Sequence, residues 1–458
     1  MIFLEQWIHN KIKQELRGNP EFCLDLERQL TRKEIEDFQL FKLRGILSYA
    51  LEKSLFYQNL FTKEGVRPED VRSLDDLAKV PFTYPTDLAE SPYRFLCISL
   101  GEVKRVYTFS TAGTTGNPKK VFFPSHELGE ISDYMGAAMK TVAMCGGAGE
   151  SDYMVFILLP DGKPDSQANL LAEGVKKYGG KPIKADLTLD AGEQIKTIAK
   201  TNPDILFGSV SRLWRMTQET KQSHELSQIG VKALFLTSEY LPRTMRQDLK
   251  EIWGSDVYLH YGMTEMGFGG GIECSAHNGF HFNETDFLFE VVDPLTGKRL
   301  ECDEKGELVF TTLSRKGMPL IRYRTGDLAC LTSKPCECGA STLQRIGEIR
   351  GRVKSEVKIG RGEVYPSLFD DALYKIPGLV DYRIFLDKEG ERDSLTCKVE
   401  LIERRKKVQE EIRRSLSEMP SIKEATEADL ITEPQVELVD RGALKRKGRA
   451  KQHIIDNR

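Results

Sequence analysis

The sequence contains no long apolar run. None of the hydrophobic stretches in its 458 residues approaches the roughly 18–20 residues that a membrane-spanning helix needs. It also lacks an excess of one charge, since the formal net charge is −3, so no overall field favours nucleic acid or a membrane. The start of the chain has no basic segment before a long apolar core, and nine cysteines occur without an export signal. We therefore expect a cytoplasmic protein with reduced thiols.

Two common nucleotide-binding patterns are missing as well. Pro118 stands where the second glycine of a Walker A loop would fall, and the glycine spacing of a dinucleotide fold is absent. Residues 110–119 nevertheless form a hydroxyl- and glycine-rich loop between two strand-like segments. Such a loop suits phosphate oxygens, although taken alone its composition favours a flexible turn. The candidate phosphate ligands are Ser110, Thr111, Gly113, Thr114, Thr115, Gly116 and Lys119.

The middle of the chain alternates strand-like and helix-like segments. Apolar runs at 153–159, 204–208 and 233–237 predict strands that are buried on both faces. Ser125 is a candidate N-cap for a helix that ends near residue 145. This alternation predicts an α/β fold over a mostly parallel sheet, in which ligands bind beyond the carboxyl ends of strands. Ser238 and Glu239 follow one predicted strand and are therefore candidate nucleotide-binding residues.

Two further motifs each follow or contain a predicted strand. The first has the sequence Tyr-Gly-Met-Thr-Glu and ends in Glu265. The second, residues 323–327, has the sequence Tyr-Arg-Thr-Gly-Asp and ends in Asp327. Carboxylate oxygens are good ligands for a hard cation such as Mg²⁺ and good acceptors for hydroxyl groups. The structural alternative for both motifs is an ordinary turn with a satisfied acidic side chain. The first motif consists of Tyr261, Gly262, Met263, Thr264 and Glu265.

These three motifs, in this order, resemble those of the acyl-adenylate-forming superfamily, which includes acyl-CoA synthetases, luciferases and the adenylation domains of peptide synthetases. The segment 312–323 resembles the phenylacetate-CoA ligase branch, and the resemblance covers essentially the whole chain. It implies a large N-terminal AMP-binding domain at 1–350 with mostly parallel sheets. It also implies a hinge at 351–355 and a small, mobile α+β C-terminal domain at 356–458.

The resemblance implies roles for individual residues. The loop threonines and Lys119 would hold phosphates, Tyr261 would lie beside adenine, and Thr264 would contact the α-phosphate. Glu265 would hold Mg²⁺, while Asp327 and Arg352 would hold the ribose. Lys354 would be the hinge residue, and Lys358 would approach the active site during thioester formation. The implied catalytic residues are Lys119, Thr264, Glu265, Lys358 and Arg449.

The identity of the last catalytic cation is open. The branch resembled here ends in a glycine followed by a lysine, but in this chain Gly448 is followed by Arg449. A short gap in the alignment would select Lys447 or Lys451 instead. Arginine and lysine differ in shape and in the number of donors, so they are not interchangeable at a tight site. The alternative is that these charges form a solvated basic tail.

Cysteine and histidine side chains follow two of the motifs. Cys274 and His281 come after Glu265, while Cys336 and Cys338 come after Asp327. Three thiolates and one imidazole suit a tetrahedral structural zinc site. The resemblance supports this prediction because it brings the two motifs into one active site. Cys330 and His277 are spare candidates, and reduced thiols with surface histidines are the alternative.

The predicted function is ATP-dependent activation of an aryl or arylacetic acid to an acyl-adenylate, followed by transfer to coenzyme A. Mg²⁺ and a structural Zn²⁺ would be the bound metals. One alternative is an adenylating enzyme that passes the acyl group to a carrier protein or an amine. The other is a catalytically degenerate nucleotide-binding homologue. The sequence names neither the acid nor the oligomeric state, for which a dimer is one option.

Overall fold

The computed structural model describes residues 2–22, 25, 27–109, 118–349, 351–353, 355–444 and 453–458. Its N-terminal part is helical. The Thr31 hydroxyl and the Glu34 carboxylate cap each other's backbone N–H groups, which fixes the start of the second helix. Within the described ranges, no helix is long and apolar enough to cross a membrane. The helices are α1 (Phe3–Leu16), α2 (Arg32–Lys53), α3 (Leu55–Glu64) and α4 (Pro85–Glu90).

The next segment alternates strands and helices, which confirms the α/β prediction. The three apolar runs coincide with buried strands. The elements are β1 (Val103–Phe109), β2 (Lys119–Pro124), α5 (Ser125–Cys145), β3 (Met154–Leu158), α6 (Gln167–Lys177), β4 (Lys181–Lys184), α7 (Ala191–Thr201), β5 (Ile205–Ser209), α8 (Val210–Thr220), β6 (Ala233–Thr237), α9 (Arg243–Trp253) and β7 (Asp256–Tyr261).

After β7 the chain is rich in strands. Short turns join most of them, and short turns produce antiparallel neighbours, whereas a parallel pair needs a long crossover. The strands are β8 (Gly271–Ile272), β9 (Phe280–Phe282), β10 (Phe287–Val292), β11 (Gly306–Thr312), β12 (Tyr323–Ala329), β13 (Leu331–Thr332), β14 (Arg345–Ile346) and β15 (Gly351–Arg352).

The largest sheet has the strand order β13-β14-β9-β8-β7-β6-β5-β3-β4. Within this sheet, the strands that pair in parallel are the five neighbours β4, β3, β5, β6 and β7. The other four strands extend the sheet in antiparallel fashion from the edge of β7. The predicted parallel core is therefore present, but the sheet is mixed, and its antiparallel extension carries the cysteines and the histidine of the predicted metal site.

Two smaller sheets complete the N-terminal part. Strands β1 and β2 form an antiparallel hairpin, in which Phe109 is opposite Lys119. Strands β10, β11, β12 and β15 form an antiparallel sheet, in which Asp327 is opposite Arg352. This pairing brings two predicted ribose ligands together although 25 positions separate them in the numbering. It also makes residues 351–352 part of the N-terminal sheet.

The C-terminal part is an α+β unit with its own four-stranded sheet in the order β20-β19-β18-β21. The last strand pairs in parallel with β18, so residues 453–458 are not a free tail. The elements are β16 (Val357–Ile359), β17 (Gly362–Val364), α10 (Pro366–Leu373), β18 (Leu379–Glu389), β19 (Arg392–Leu401), α11 (Val408–Ser417), α12 (Pro420–Glu427), β20 (Gln435–Val439) and β21 (Ile454–Asp456).

Helix α8 docks the C-terminal part onto the N-terminal part. The Trp214 indole N–H donates to the Leu379 carbonyl at 2.9 Å. The Arg215 guanidinium forms a two-pronged ion pair with Glu400, with Nη2 3.0 Å from Oε2. The Glu400 carboxylate also accepts from the backbone N–H groups of Gly442 and Leu444. One buried carboxylate thus joins α8, β19 and the residues that precede position 445.

Two helix starts differ from the sequence predictions. Helix α5 spans the predicted residues, but its N-cap is Pro124, and Ser125 is not the capping residue because it already lies within the helix. The charged segment 404–419, whose sequence predicts an amphipathic helix, is helical only from Val408. Lys407 has a left-handed backbone, with φ of 66°, which a continuous α-helix does not allow.

Candidate active site

Glu265 lies where the three motif regions meet. It follows β7 in a short turn and is buried. Its Oε1 accepts hydrogen bonds from Lys119 Nζ at 2.8 Å and from the Tyr323 hydroxyl at 2.9 Å. Its Oε2 accepts no hydrogen bond from the described residues. The loop, the Tyr-Gly-Met-Thr-Glu motif and the Tyr-Arg-Thr-Gly-Asp motif each supply one of these three side chains.

Asp327 is the centre of a second group of contacts. The Tyr261 hydroxyl donates to Oδ2 at 2.8 Å, and Arg352 Nε lies 2.8 Å from Oδ1. Burial raises the pKa of the Asp327 carboxyl, and the Arg352 charge opposes that rise. The structure therefore brings together the three residues predicted to surround a nucleoside. It also orients both carboxylate oxygens before any ligand is present.

The remaining residues of the Tyr-Gly-Met-Thr-Glu motif lie in a closely packed stretch of backbone. A Cβ at Gly262 would lie 2.8 Å from the Phe268 carbonyl oxygen, so a larger residue would displace the chain. Met263 and Thr264 are half-buried between Gly262 and Glu265. Packing thus explains one position of the motif independently of any nucleotide.

Ser238 and Glu239 lie at the end of β6. Ser238 is exposed and has a φ of 75°. The Glu239 carboxylate accepts from the backbone N–H of Ser211 at 2.8 Å and from its hydroxyl at 2.9 Å. Glu239 therefore stabilises the first turn of α8 in this structure.

Several predicted residues fall in other parts of the chain. Lys358 lies in β16, with its side chain exposed. The residues that lie outside the described ranges are Ser110, Thr111, Gly113, Thr114, Thr115, Gly116, Lys354, Lys447, Arg449 and Lys451.

The four predicted soft ligands come together beside the antiparallel extension of the large sheet. Cys274 Sγ lies 3.6 Å from Cys336 Sγ, and Cys338 Sγ lies 3.4 Å from His281 Nε2. All four ligand atoms lie within 4.8 Å of one another. A tetrahedron built on Zn–S bonds of about 2.3 Å has edges of about 3.8 Å. The donor set and its dimensions therefore fit a closed zinc site.

The two spare candidates do not join this cluster. His277 Nε2 lies 2.9 Å from Asp256 Oδ2, and its Nδ1 faces Glu273. Hydrogen bonds to Asp256 and then Glu273 raise the pKa of His277 to about 9, so the imidazole is protonated at neutral pH. Cys330 packs against Gly347, where an added Cβ would lie 2.6 Å from its sulfur.

Sequence reasoning missed two residues of the site. Tyr323 donates to Glu265, and its place at the start of the Tyr-Arg-Thr-Gly-Asp motif was the available signal. Arg315 donates from Nη1 to the Glu265 backbone carbonyl and is 7% exposed. A lone arginine shortly before the apolar segment 318–321 gave only a weak signal, because the same pattern occurs at the start of many strands.

Comparisons with known proteins agree with this geometry. The family model described as AMP-binding enzyme matches residues 104–314, and that of the AMP-binding enzyme C-terminal domain matches residues 362–458. Two curated relatives are phenylacetate-coenzyme A ligases. That of Aromatoleum evansii is 31% identical over 82% of this chain and 84% of its own length, and that of Thermus thermophilus is 30% identical over 82% and 83%. A solved 2-hydroxyisobutyryl-CoA ligase in the postadenylation state shares the fold, with a TM-score of 0.77, 22% identity and coverage of 95% of this chain and 94% of that one.

Proposed function

Because this chain belongs to the AMP-binding enzyme family, we propose that it activates a carboxylic acid with ATP and transfers the acyl group to coenzyme A. The relatives' names support an aryl or arylacetic acid as the substrate class. One observation carries the proposal. Lys119, Glu265 and Tyr323, from three separate motif regions, meet in a single buried network.

The reaction has two steps. A carboxylate oxygen of the acid attacks the α-phosphorus of ATP, a new P–O bond forms, and pyrophosphate leaves with the electrons of the broken bond. The sulfur of coenzyme A then attacks the acyl carbon, so that a C–S bond forms and AMP leaves. The protein contributes positioning and charge neutralisation to both steps.

Lys119 and Glu265 act on the phosphates of ATP, Lys119 by its charge and Glu265 as a metal ligand. Glu265 Oε2 is a hard oxygen donor without a hydrogen-bond partner among the described residues, which fits Mg²⁺. Bound there, Mg²⁺ supplies charge neutralisation to the phosphate oxygens. The Lys119 ammonium, already held beside Glu265, adds a second positive charge. Thr264, next in the chain, contacts the α-phosphate.

Asp327 and Arg352 serve the ribose, and Tyr261 lies beside the adenine. Their mutual contacts support these roles because they hold the carboxylate in one orientation. The C-terminal part rotates about Lys354 between the two steps. It presents Arg449 during adenylation and Lys358 during thioester formation, since the two steps need different groups over one nucleotide.

A structural zinc ion is held by Cys274, His281, Cys336 and Cys338. The closed set of three sulfurs and one imidazole supports this assignment, because a catalytic zinc keeps an open position. The ion would fasten the segment after β8 to the turn between β13 and β14. Its role is to hold the antiparallel extension beside the nucleotide site.

A pyrophosphate-exchange screen over a panel of carboxylic acids tests the first step. We expect exchange that depends on both Mg²⁺ and the acid, with the highest rates for aryl or arylacetic acids. Thioester formation is then measured with coenzyme A. ATP binding without exchange for any acid would contradict the proposal, and exchange without coenzyme A-dependent thioester would redirect it to a carrier protein or an amine acceptor.

A further inference from the structure

A cavity of about 70 Å³ lies beside the turn that carries Glu265. A single buried water needs about 10–15 Å³ of such space, so this cavity accommodates several non-hydrogen atoms. Its walls come from the first turns of α5, the residues just after Glu265, and two segments near residues 283–287 and 312–315. The apolar part of the lining consists of Ile131, Tyr134, Met266 and Phe287.

Glu127 is a buried acid at this cavity, with 6% of its surface exposed. Its Oε1 accepts from the backbone N–H groups of Lys316 and Gly317, both at 2.7 Å. Its Oε2 is buried and has no hydrogen-bond partner in the part of the chain that the structure describes. A buried acceptor without a partner carries a desolvation cost of about 1–3 kcal/mol, which a ligand with a suitable donor would remove.

Arg315 also lines the cavity. Among the described residues its guanidinium makes a single hydrogen bond, from Nη1 to the Glu265 carbonyl. Its Nε lies 4.0 Å from Glu127 Oε2, beyond hydrogen-bond distance. Asp286, on another wall, has one oxygen, Oδ1, with no partner among those residues. The apolar chamber therefore contains an unused donor group and two unused acceptor atoms.

We infer that this cavity receives the far end of the acid substrate, and that this end carries a hydroxyl or amino group that donates to Glu127. The inference rests on the proposed function, and the link to that site is the turn that carries Glu265, since the residues directly after it, Met266 and Gly267, line the cavity. A plain hydrocarbon end would leave Glu127 Oε2 and the remaining guanidinium nitrogens of Arg315 desolvated without hydrogen-bond partners. A second carboxylate would face the like charges of Glu127 and Asp286.

Glu127→Gln tests this inference directly. The substitution keeps the oxygen that accepts from Lys316 and Gly317, and it changes the unpartnered atom from an acceptor to a donor. The probes are phenylacetic acid and its 4-hydroxy, 4-amino and 4-methoxy derivatives, each assayed by pyrophosphate exchange. The unsubstituted protein should prefer the hydroxy and amino acids over the other two by about 10-fold or more in kcat/KM, as expected for a hydrogen bond to a charged group.

In the Glu127→Gln variant this preference should fall by about 10- to 100-fold, while exchange with phenylacetic acid changes little. The matched control is Asp133→Asn, the same chemical change on the same helix at a residue that bonds Tyr178 away from the cavity. A second variant, Ile131→Phe, fills the cavity and should reduce kcat/KM for the 4-substituted acids more than for phenylacetic acid.

The outcomes separate this inference from the proposed function. Exchange with these acids that shows no preference for a donor, or a preference that Glu127→Gln leaves intact, would overturn the inference and leave the function standing. An absence of exchange with any carboxylic acid would overturn both. Equal unfolding temperatures for the variant and the unsubstituted protein would show that the retained oxygen still caps the backbone.

Discussion

Two buried clusters in this molecule differ in how their members satisfy one another. In the nucleotide-site network, formed by Lys119, Glu265 and Tyr323, a cation and a hydroxyl group pair with one carboxylate. In the cysteine cluster, formed by Cys274, His281, Cys336 and Cys338, soft ligands face one another with only long thiol contacts. The network holds its shape through its own contacts, whereas the cysteine cluster has the donor set that the proposed zinc ion would complete.

This difference predicts separate consequences for catalysis and stability. In the nucleotide-site network, the hydrogen bonds to Glu265 Oε1 keep the carboxylate oriented for a ligand that binds beside it. An ion that enters the cysteine cluster completes it and adds its binding free energy to folding. Damage to the first cluster should therefore affect chemistry most, and damage to the second should affect folding most.

The largest expected effect is that of Glu265→Gln on adenylation. Loss of the carboxylate removes the proposed Mg²⁺ ligand, and pyrophosphate exchange should fall by about 1,000-fold. The variant also leaves Lys119 buried without its counter-charge, so the free energy of unfolding should fall by about 3–5 kcal/mol. The double variant with Lys119→Met should recover stability but not exchange. Wild-type-like exchange in the single variant would remove Glu265 from the metal role.

The next effect concerns the cysteine cluster. Protein purified without chelators should contain about one zinc per chain, and Cys336→Ser should lose it. The free energy of unfolding should then fall by about 4 kcal/mol or more, while exchange per folded molecule falls less than tenfold. Cys330→Ser, a thiol outside the cluster, is the control and should retain the metal. Metal-free protein of full stability would show that the cluster needs no ion.

A smaller effect is expected at the interface between the two parts of the chain. Arg215→Met removes the cation that pairs with Glu400, but Glu400 keeps two backbone N–H donors. The loss of stability should therefore be about 2 kcal/mol, below the value usual for a broken buried pair. The ratio of pyrophosphate exchange to thioester formation should also change, because the pair favours one orientation of the C-terminal part. An unchanged ratio would show that the pair contributes only to stability.

The smallest effect is a pH dependence near the cysteine cluster. Hydrogen bonds to Asp256 and Glu273 raise the folded-state pKa of His277 to about 9, above the 6.5 of an ordinary histidine. Its stabilising contribution is therefore complete below about pH 6.5 and is lost as the pH rises through 9. Between pH 6.5 and pH 9, the free energy of unfolding of the unsubstituted protein should therefore fall by about 1 kcal/mol more than that of the His277→Gln variant. Chemical denaturation at several pH values measures this, with the exposed His126→Gln as the control.

The sequence was most informative where chemistry restricts the residue type. The four soft ligands were predicted because zinc requires particular side chains, and the structure brings them together. Glu265 and Asp327 were predicted because their motifs resemble those of the acyl-adenylate-forming superfamily, and Tyr261 of the first motif contacts Asp327 of the second. The buried parallel strands were predicted because burial on both faces demands continuous apolar runs. The N-terminal ends of the helices near residues 125 and 408 were predicted less accurately, because the backbone angles of a single residue decide where a helix begins.

Long-range contacts explain what could not be predicted. The antiparallel extension consists mainly of strands of two or three residues, too short for any periodicity to show. Arg315 contacts Glu265 across 50 positions, a separation over which no local sequence pattern links two residues. The same holds for Glu127, whose free oxygen is evident only once residues 316–317 are seen to occupy the other one.

The C-terminal end of the chain is anchored to its sheet at two points, one on each side of residues 445–452. On one side Leu444 is buried, with its N–H on Glu400, and on the other His453 is buried, with its carbonyl accepting from Ile384. Nine peptide steps between these anchors span at most about 30 Å. Both anchoring partners belong to one sheet, since Glu400 lies in β19 and Ile384 lies in β18. A rigid-body motion of the C-terminal sheet therefore carries both anchors together.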